Sequence, residues 1–357
     1  MTLVTESEAL HRRVRAFARG DASAGRFDAL ALDIAAFQAR WSPGHRRLLE
    51  AAPAAPISAA GIPAVPSAAF RVTRVAVHPE ALDERVFVTS GTTSDERGRH
   101  ALRTTRTYRE LSLLGGEPAL CRDWPARRSV VALAPRPDPA LDSSLGFMMG
   151  TFMREWSGAE QWLLGEAGVD VDALTRAARA AAERDEPLIV LATAFALVML
   201  CDALGGMSLA TPPRTAVMIT GGFKGRTREV DPGALRTDVA RALGILAAQI
   251  VGEYGMTELS SQLWESRDGP AATYVAPPWL LVTAVDPVTL IELPAGEIGL
   301  ARFVDLANVD SAVAVVTEDL VRCRGSGVEL LGRSAGAPSR GCSLAVEALG
   351  GAGTART

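Results

Sequence analysis

The stretch Glu253-Tyr254-Gly255-Met256-Thr257-Glu258 decides how this chain is interpreted. It follows an apolar run, Ile245 to Val251, which predicts a buried strand that leads into a tight turn. Gly255 lets the backbone fold sharply after the aromatic residue. Ligands of open α/β sheets bind beyond the carboxyl ends of the strands, so Thr257 and Glu258 are candidates for such a crevice. Taken alone, the string favours the simpler alternative, a turn followed by a helix N-cap.

The chemistry of this turn suits a nucleotide and a metal ion. A threonine hydroxyl donates to phosphate oxygens, and a glutamate carboxylate binds Mg²⁺. An earlier predicted strand, Val86-Phe87-Val88, runs into the hydroxyl-rich loop Thr89-Ser90-Gly91-Thr92-Thr93-Ser94. Such a loop can surround phosphates with N–H and hydroxyl donors, and Arg97-Gly98-Arg99-His100 adds positive charge. An ordinary Ser/Thr-rich surface loop is an equally good interpretation of this segment alone.

A third predicted strand, Thr215 to Thr220, ends in Gly221-Gly222-Phe223-Lys224. Paired glycines after a strand allow a flat ligand such as a purine to approach the backbone. Lys224 is the single lysine among 37 Lys and Arg residues. A position that keeps lysine suggests a need for a compact ammonium group, and chance retention is the alternative.

Composition limits the class of protein. With 357 residues, 48% hydrophobic and 22% charged, the chain is predicted to be a soluble globular protein of one large or two ordinary domains. A net charge of −4 argues against a nucleic-acid partner. The N-terminus lacks a signal-peptide core, and the longest apolar run, Pro187 to Leu200, is too short for a membrane span. We therefore expect a cytoplasmic location. Four scattered cysteines argue against a disulfide framework or a zinc site, and four dispersed histidines argue against a histidine-based metal centre.

Three regions are predicted along the chain. Residues 1–68 form an N-terminal helical segment and a linker, and the linker part, residues 53–68, could equally line a crevice mouth. Apolar residues at helical spacing predict a helix over Arg26 to Trp41, which Ser42-Pro43-Gly44 ends. Residues 69–330 form a nucleotide-binding catalytic α/β core, in which β-sheets are layered with helices and the part after Glu265 is rich in strands. Residues 331–357 form a hinge remnant and a short tail. Within the core, the Met- and Phe-rich segment 143–156 is interpreted as packing, with a substrate pocket as the alternative.

Two further motifs complete the set. A strand predicted over Ser311 to Val316 delivers Asp319 at its end, and Leu331-Gly332-Arg333 follows. The order of the five motifs resembles that of the adenylate-forming superfamily of acyl-CoA synthetases and related ligases. Within that superfamily the chain looks most like the acyl-protein synthetase of bacterial bioluminescence and its relatives. The specific points of similarity are Phe27 to Gln38, Gly221 to Lys224, Asp305-Leu306-Ala307-Asn308 and Arg340-Gly341-Cys342-Ser343-Leu344.

The resemblance implies an α/β fold of the adenylate-forming large-domain type, with ATP and Mg²⁺ as cofactors. It also implies site residues by position. The β- and γ-phosphates would be cradled by Thr89, Ser90, Gly91, Thr92 and Thr93, and adenine and the acyl carboxylate would be flanked by Gly221, Gly222 and Phe223. The nucleotide site would be completed by Tyr254 and Gly255, with Thr257 at the α-phosphate and Glu258 as the ligand of Mg²⁺. Asp319 would bind the ribose, and Arg333 would mark the hinge.

Two departures from the superfamily pattern are visible. The phosphate loop does not continue as Gly-x-Pro-Lys, so Arg97, Arg99 or His100 is expected to handle phosphate. Only 24 residues of this sequence follow Arg333, fewer than the usual lid domain with its catalytic lysine requires. Lys224 is therefore predicted to stabilise charge at the α-phosphate.

The predicted activity is conversion of a small carboxylic acid and MgATP to acyl-AMP and pyrophosphate, followed by acyl transfer. The bioluminescence relatives imply that Cys342 accepts the acyl group as a thioester, beside Arg340, or that a partner protein accepts or passes it on. One alternative is adenylation of an aryl or other biosynthetic carboxylate, with transfer to an amine or a carrier protein. Another is a non-catalytic relative that keeps the fold as an interaction module.

Overall fold

The computed structural model describes residues 1–89, 97–122, 124–138, 142–221, 230–270 and 272–334. In these ranges the helices are α1 (Leu3–Ala18), α2 (Phe27–Trp41), α3 (Pro43–Glu50), α4 (Ala69–Val72), α5 (Arg106–Leu120), α6 (Ser144–Ser157), α7 (Val171–Glu183), α8 (Ala194–Leu204) and α9 (Pro232–Leu243). The strands are β1 (Val65–Pro66), β2 (Arg85–Val88), β3 (Arg99–Leu102), β4 (Ser129–Leu133), β5 (Leu164–Gly165), β6 (Gly168–Val169), β7 (Leu188–Thr193), β8 (Thr215–Thr220), β9 (Ile250–Tyr254), β10 (Leu263–Glu265), β11 (Thr273–Val275), β12 (Leu280–Val285), β13 (Ile298–Asp305), β14 (Ala314–Arg324) and β15 (Gly327–Arg333).

The N-terminal helices form because their boundaries are marked by capping residues. Ser42 ends α2 and caps α3, and Pro43 lies in the first turn of α3, where its missing N–H is not needed. The predicted helix over Arg26 to Trp41 is thus confirmed. Its buried face joins a core cluster with α1 and with the segment that follows β13; the cluster includes Val14, Leu30, Ile34, Phe37, Leu306 and Val309.

One half of the main sheet is parallel. β4, β7, β8 and β9 lie side by side in chain order, and helices connect each strand to the next. Parallel neighbours require long crossover connections, which the helices supply. Because helices cover both faces of this half of the sheet, the strands are buried, and β4 and β7 are apolar along most of their length. The strand predicted over Thr215 to Thr220 is confirmed as β8 with the same bounds.

The other half of the sheet is antiparallel. Beyond β9 it continues through β10, β11, β15, β14, β13 and β12. A tight turn connects β14 to β15, as it can between antiparallel neighbours, whereas the neighbours β11 and β15 are far apart in the chain. The predicted α/β fold with a strand-rich C-terminal part is therefore confirmed.

The linker prediction for residues 53–68 is refined by the structure. Ala59–Gly61 form a short 3-10 helix, and β1 pairs in parallel with β14. The N–H of Ser67 donates a hydrogen bond of 2.9 Å to the carbonyl of Val316. The end of this segment is therefore attached to the strand that also carries Asp319.

Two predicted strand limits are wrong. The strand before Glu253 begins at Ile250 rather than at residue 245, because Ala247–Gln249 form a 3-10 helix. The strand that delivers Asp319 was predicted over Ser311 to Val316, but it begins at Ala314 and runs to Arg324. Asp319 therefore lies inside β14, at an irregularity in its pairing with β15, and not at a strand end. β15 also crosses the expected boundary between residues 330 and 331.

The Met- and Phe-rich segment forms α6 and belongs to the core. Its members Met148, Met149, Phe152 and Met153 are fully buried, so the packing interpretation is confirmed. Among the described helices, none has both the length and the apolar composition that crossing a bilayer requires.

Candidate active site

The carboxyl ends of β8 and β9 form the centre of the candidate active site. In their parallel register Thr220 lies opposite Glu253, so Gly221 and Tyr254 follow at the same edge of the sheet. The Thr220 hydroxyl donates a hydrogen bond to the Glu253 carboxylate. Gly221 has a φ of +68°, a conformation that favours glycine. The fold thus brings together two motifs that are more than thirty residues apart in the chain.

Tyr254, Asp319 and Arg333 form a hydrogen-bonded chain beside this edge. The Tyr254 hydroxyl donates to Asp319 Oδ2 at 2.7 Å, and Arg333 Nε donates to Asp319 Oδ1 at 3.3 Å. Asp319 and Arg333 face each other across β14 and β15. Burial and the negative charge of Asp319 raise the pKa of Tyr254 well above its usual value, so the hydroxyl remains a donor. Three residues predicted from separate motifs therefore meet.

The turn that carries Thr257 and Glu258 is held by Asp305 and Asn308, which we call the 305–308 clamp. Asn308 Nδ2 donates to the carbonyl of Glu258 at 2.9 Å, and Asn308 Oδ1 accepts from Ser260 Oγ at 2.7 Å. Asp305 Oδ2 accepts from the N–H of Ser260 at 2.9 Å. Both clamp residues are buried, and hydrogen bonds in such surroundings hold a backbone firmly. Burial raises the pKa of Asp305 to about 6.

His100 contacts the same turn. Its Nδ1 lies 2.8 Å from the carbonyl oxygen of Thr257, and because a carbonyl only accepts, Nδ1 is the donor. Its Nε2 lies 2.8 Å from Ser311 Oγ and accepts from that hydroxyl. Burial lowers the pKa of His100 to about 4, so the ring is neutral. The suggestion that His100 handles phosphate is wrong, because the ring is fully buried and both nitrogens are engaged.

Glu258 lies against the base of the predicted phosphate loop. The N–H of Thr89 donates to the Gly98 carbonyl, and the N–H of Gly98 donates to Thr89 Oγ1, each at 2.9 Å. A β-carbon at Gly98 would lie 3.0 Å from Thr89 Cγ2 and 3.5 Å from Glu258 Oε1. Because Gly98 has no side chain, the carboxylate of Glu258 fits closely against the two ends of this loop.

The single carboxylate of Glu258 suits Mg²⁺ better than it suits a metal ion whose ligands all come from the protein. Among the described residues, no group of three or more His, Cys, Asp or Glu side chains could hold a metal ion. Mg²⁺ keeps several waters and binds through one or two carboxylates together with substrate phosphates. Burial raises the pKa of Glu258, while the positive charges of Arg71 and Arg333 act in the opposite direction. A bound cation would likewise favour the ionised carboxylate.

Several predicted site residues lie outside the described residues, and their roles stay predictions. They are Ser90, Gly91, Thr92, Thr93, Gly222, Phe223, Lys224 and Cys342. Arg340, the predicted neighbour of Cys342, also lies outside the described residues. Of the predicted set, the structure brings together Thr89, Gly221, Tyr254, Gly255, Thr257, Glu258, Asp319 and Arg333 around one edge of the sheet.

Sequence reasoning missed two residues at this site. Asn308 belongs to a stretch that resembled the family, but no role was assigned to it. Arg71, whose charge acts on Glu258, was not singled out. The signal in the sequence is the apolar pair Ala69-Phe70 directly before Arg71. Both residues are buried in the structure, but the pattern does not show that Arg71 lies near Glu258.

The four histidines, dispersed in the sequence, meet near residues 305–311. His11 Nε2 lies 2.8 Å from Asp310 Oδ2, and His100 bonds to Ser311. His45 lies against the backbone of Ser311, and the charge of Asp310 acts on His78. The loop between β13 and β14 therefore binds His11 and His100 and also holds the turn at Thr257, whereas the Nε2 of His78 bonds to Asp83 at 2.9 Å.

The architecture around this edge is that of the adenylate-forming ligases. An open conformation of 2-hydroxyisobutyryl-CoA ligase in complex with 2-HIB-AMP and CoA matches with a TM-score of 0.61 and 15% identity, over 88% of this chain and 76% of that one. The same ligase in the thioesterification state matches with a TM-score of 0.59 and 15% identity, over 93% and 69% of the two chains. At these identities the likeness concerns the fold.

ATP-bound MatB from Rhodopseudomonas palustris also matches, with a TM-score of 0.49 and 17% identity over 70% of this chain. The match covers 47% of the MatB chain, so the present chain spans about half of that protein. No curated protein matches the sequence.

The family model described as acyl-protein synthetase, LuxE, matches residues 59–349. The chain therefore belongs to the LuxE acyl-protein synthetase family. The resemblance drawn from the order of the motifs is confirmed.

Proposed function

We propose that this protein is an ATP-dependent ligase that converts a carboxylic acid to acyl-AMP, releases pyrophosphate and then transfers the acyl group. The observation that carries the proposal is the convergence of Tyr254, Asp319 and Arg333 with Glu258 at the carboxyl edge of β8 and β9. This edge offers acceptors for ribose hydroxyls, cations for phosphates and a carboxylate for Mg²⁺. The family and the fold support the same reaction.

In the proposed first step, a carboxylate oxygen of the acid attacks the α-phosphorus of ATP. The bond from the α-phosphorus to the oxygen that bridges to the β-phosphate breaks, and its electron pair leaves with pyrophosphate. Mg²⁺, when bound, would neutralise phosphate charge during this exchange. The contribution of the protein is to align the two reactants and to stabilise the developing charge.

Asp319 is the proposed ribose-binding residue. Its two oxygens accept hydrogen bonds from Tyr254 and Arg333, so the carboxylate is oriented before a nucleotide arrives. Each carboxylate oxygen has a further lone pair available for a ribose hydroxyl. Arg333, which is largely exposed, would also reach the ribose or a phosphate.

Thr257 and Glu258 are the proposed contacts to the α-phosphate and Mg²⁺. The 305–308 clamp and His100 bind the backbone carbonyls of these residues, so these contacts do not engage the Thr257 hydroxyl or the Glu258 carboxylate. We further propose that Thr89–Thr93 cradle the β- and γ-phosphates, that Gly221–Phe223 flank adenine and the acyl carboxylate, and that Lys224 stabilises charge at the α-phosphate.

For the second step we propose that a thiolate attacks the acyl carbonyl carbon of acyl-AMP and that AMP leaves. Cys342 is the candidate thiol within this chain, and an acyl-accepting partner protein is the candidate beyond it. An aryl or other biosynthetic acid with an amine or a carrier protein as acceptor would use the same first step.

A screen of pyrophosphate release over fatty and aryl acids tests the proposal. We expect acid-dependent release by the wild type, loss of release in Asp319→Ala, and retention in Glu318→Ala, a matched exposed carboxylate next to Asp319 on β14. Mass spectrometry after incubation with ATP and the active acid would show an acyl adduct that disappears in Cys342→Ser. Binding of ATP without release with any acid would favour the non-catalytic alternative.

A further inference from the structure

Arg71 is a cation at the candidate active site for which the reaction so far has no use. It lies on α4, and its side chain is exposed. A β-carbon at Gly98 would lie 3.6 Å from Arg71 Cγ and 3.5 Å from Glu258 Oε1. The Arg71 stem and the Glu258 carboxylate therefore border the same glycine at the base of the predicted phosphate loop.

The backbone that carries Arg71 is firmly supported. β1 pairs with β14, and the short α4 follows within three residues. Phe70 is buried, and its ring packs edge-on against His100 with ring centroids 5.6 Å apart. Since β14 carries Asp319 and His100 bonds to Thr257, Arg71 shares its supports with the proposed nucleotide-binding residues.

The guanidinium of Arg71 differs from its neighbours in its pairing. Arg74 forms an ion pair with Asp83 at 2.6 Å, and Arg333 pairs with Asp319 at 3.3 Å. Within the described part of the chain, Arg71 forms no such ion pair, although its charge acts on Glu258. Guanidinium N–H groups form a planar fork that matches phosphate oxygens. A fork that has no ion-pair partner among the described residues, beside the proposed Mg²⁺ ligand, is suited to an anion.

We infer that Arg71 binds the β- or γ-phosphate of ATP and stabilises the departing pyrophosphate. The inference rests on the proposed function. Arg71 borders the base of the loop assigned to these phosphates, whereas Asp319 is assigned to the ribose end of the nucleotide. As the bond to the α-phosphorus breaks, its electron pair moves onto a β-phosphate oxygen, and negative charge grows there. A guanidinium held at that oxygen stabilises the transition state more than the ground state.

Equilibrium binding of MgATP, magnesium pyrophosphate and AMP separates this role from a general effect. We expect Arg71→Ala to weaken binding of MgATP and of pyrophosphate about 10- to 100-fold, as expected for loss of charge-assisted hydrogen bonds. Binding of AMP, which lacks these phosphates, should stay unchanged. Arg71→Lys keeps the charge but not the planar fork, so it should recover only part of the affinity that Arg71→Ala loses. Arg179→Ala, which removes an exposed arginine of α7, is the matched control and should bind all three ligands normally.

Equal weakening of AMP and ATP, or wild-type affinity of Arg71→Ala for pyrophosphate, would overturn the inference. Because Arg71 is exposed, its removal should leave the unfolding temperature unchanged, and binding then reports on contacts rather than on folding. Failure of this inference can be distinguished from failure of the proposed function. A wild type that releases no pyrophosphate with any acid contradicts the proposed function, whereas an active wild type with an equally active Arg71→Ala contradicts only the role of Arg71.

Discussion

Asn308 donates a hydrogen bond of 2.9 Å to the carbonyl oxygen of Glu258, and it thereby holds the backbone of the residue proposed to bind Mg²⁺. The same side chain accepts from Ser260 Oγ and donates to the carbonyl of Ala312. One amide thus joins the turn after β9 to the loop before β14. The buried clamp thus gives the turn that carries Thr257 and Glu258 a defined geometry at the edge of the sheet.

Replacement of Asn308 tests this link. In Asn308→Ala the three partners, Glu258, Ser260 and Ala312, lose their hydrogen bonds to this side chain, and we expect the free energy of unfolding to fall by about 2–3 kcal/mol. Asn308→Asp keeps the acceptor for Ser260 but loses the donor to Glu258. We expect both variants to release pyrophosphate at least about 10-fold more slowly and to need more Mg²⁺ for half-maximal rate, because misplaced groups cost such factors. An unchanged Mg²⁺ requirement would mean that the clamp serves stability alone.

Tyr254→Phe separates the orientation of Asp319 from its charge. The variant removes one hydrogen bond of 2.7 Å but leaves the carboxylate and its bond to Arg333. We expect the KM for ATP to rise about 3- to 10-fold, the value of one hydrogen bond. Asp319→Asn should have a larger effect. Combining the two substitutions should give less than the product of the single effects, since the residues act together. A fully multiplicative result would argue against their coupling.

Buried histidines should make the protein sensitive to mild acid. Burial lowers the pKa of His45 and of His100 from 6.5 to about 4. The unfolded chain therefore binds more protons than the folded one between these values, and the stabilising contribution is lost as the pH falls from 6.5 to 4. Each histidine contributes up to about 3 kcal/mol. Denaturant titrations of wild type and His100→Gln across this window should show a shallower pH dependence in the variant. If the stabilities of wild type and variant changed in parallel with pH, His100 would not be a source of the acid sensitivity.

Glu253 should have the opposite pH dependence. Burial raises the pKa of this carboxyl from 4.5 to about 7, although the Thr220 hydroxyl favours the ionised form. The folded state holds the proton longer than the unfolded state, so stability is lost as the pH rises through this window. Glu253→Gln should therefore be more stable than the wild type at pH 8 by up to about 3 kcal/mol, with the difference vanishing below the usual pKa. A difference independent of pH would contradict this assignment.

The sequence predicted best those features that depend on local pattern. The bounds of β8 and the helix α2 followed from apolar periodicity and from Ser42-Pro43, which act within a few residues. The limits of β9 and β14 were wrong, because a 3-10 helix and a pairing irregularity are decided by contacts with neighbouring strands. Such contacts leave little trace in a single sequence.

The candidate site likewise divides into residues that a local motif identifies and residues whose roles depend on long-range contacts. Tyr254, Glu258 and Asp319 were identifiable because each belongs to a motif in a characteristic order. The roles of His100 and Asn308 were not, because they depend on which backbone carbonyl each side chain reaches. Arg71 was missed for the same reason, since its closeness to Glu258 arises only when β1 pairs with β14. Long-range pairing therefore decides the part of the site that sequence alone did not reveal.

The most direct test of acyl-AMP formation is exchange of labelled pyrophosphate into ATP, which requires the first step to be reversible on the enzyme. We expect exchange that depends on both Mg²⁺ and a carboxylic acid. It should fall at least about 100-fold in Glu258→Gln, as for other losses of a charged group at a reaction centre, and persist in Glu318→Gln. Exchange that proceeds without any acid, or at the wild-type rate in Glu258→Gln, would contradict the proposed chemistry.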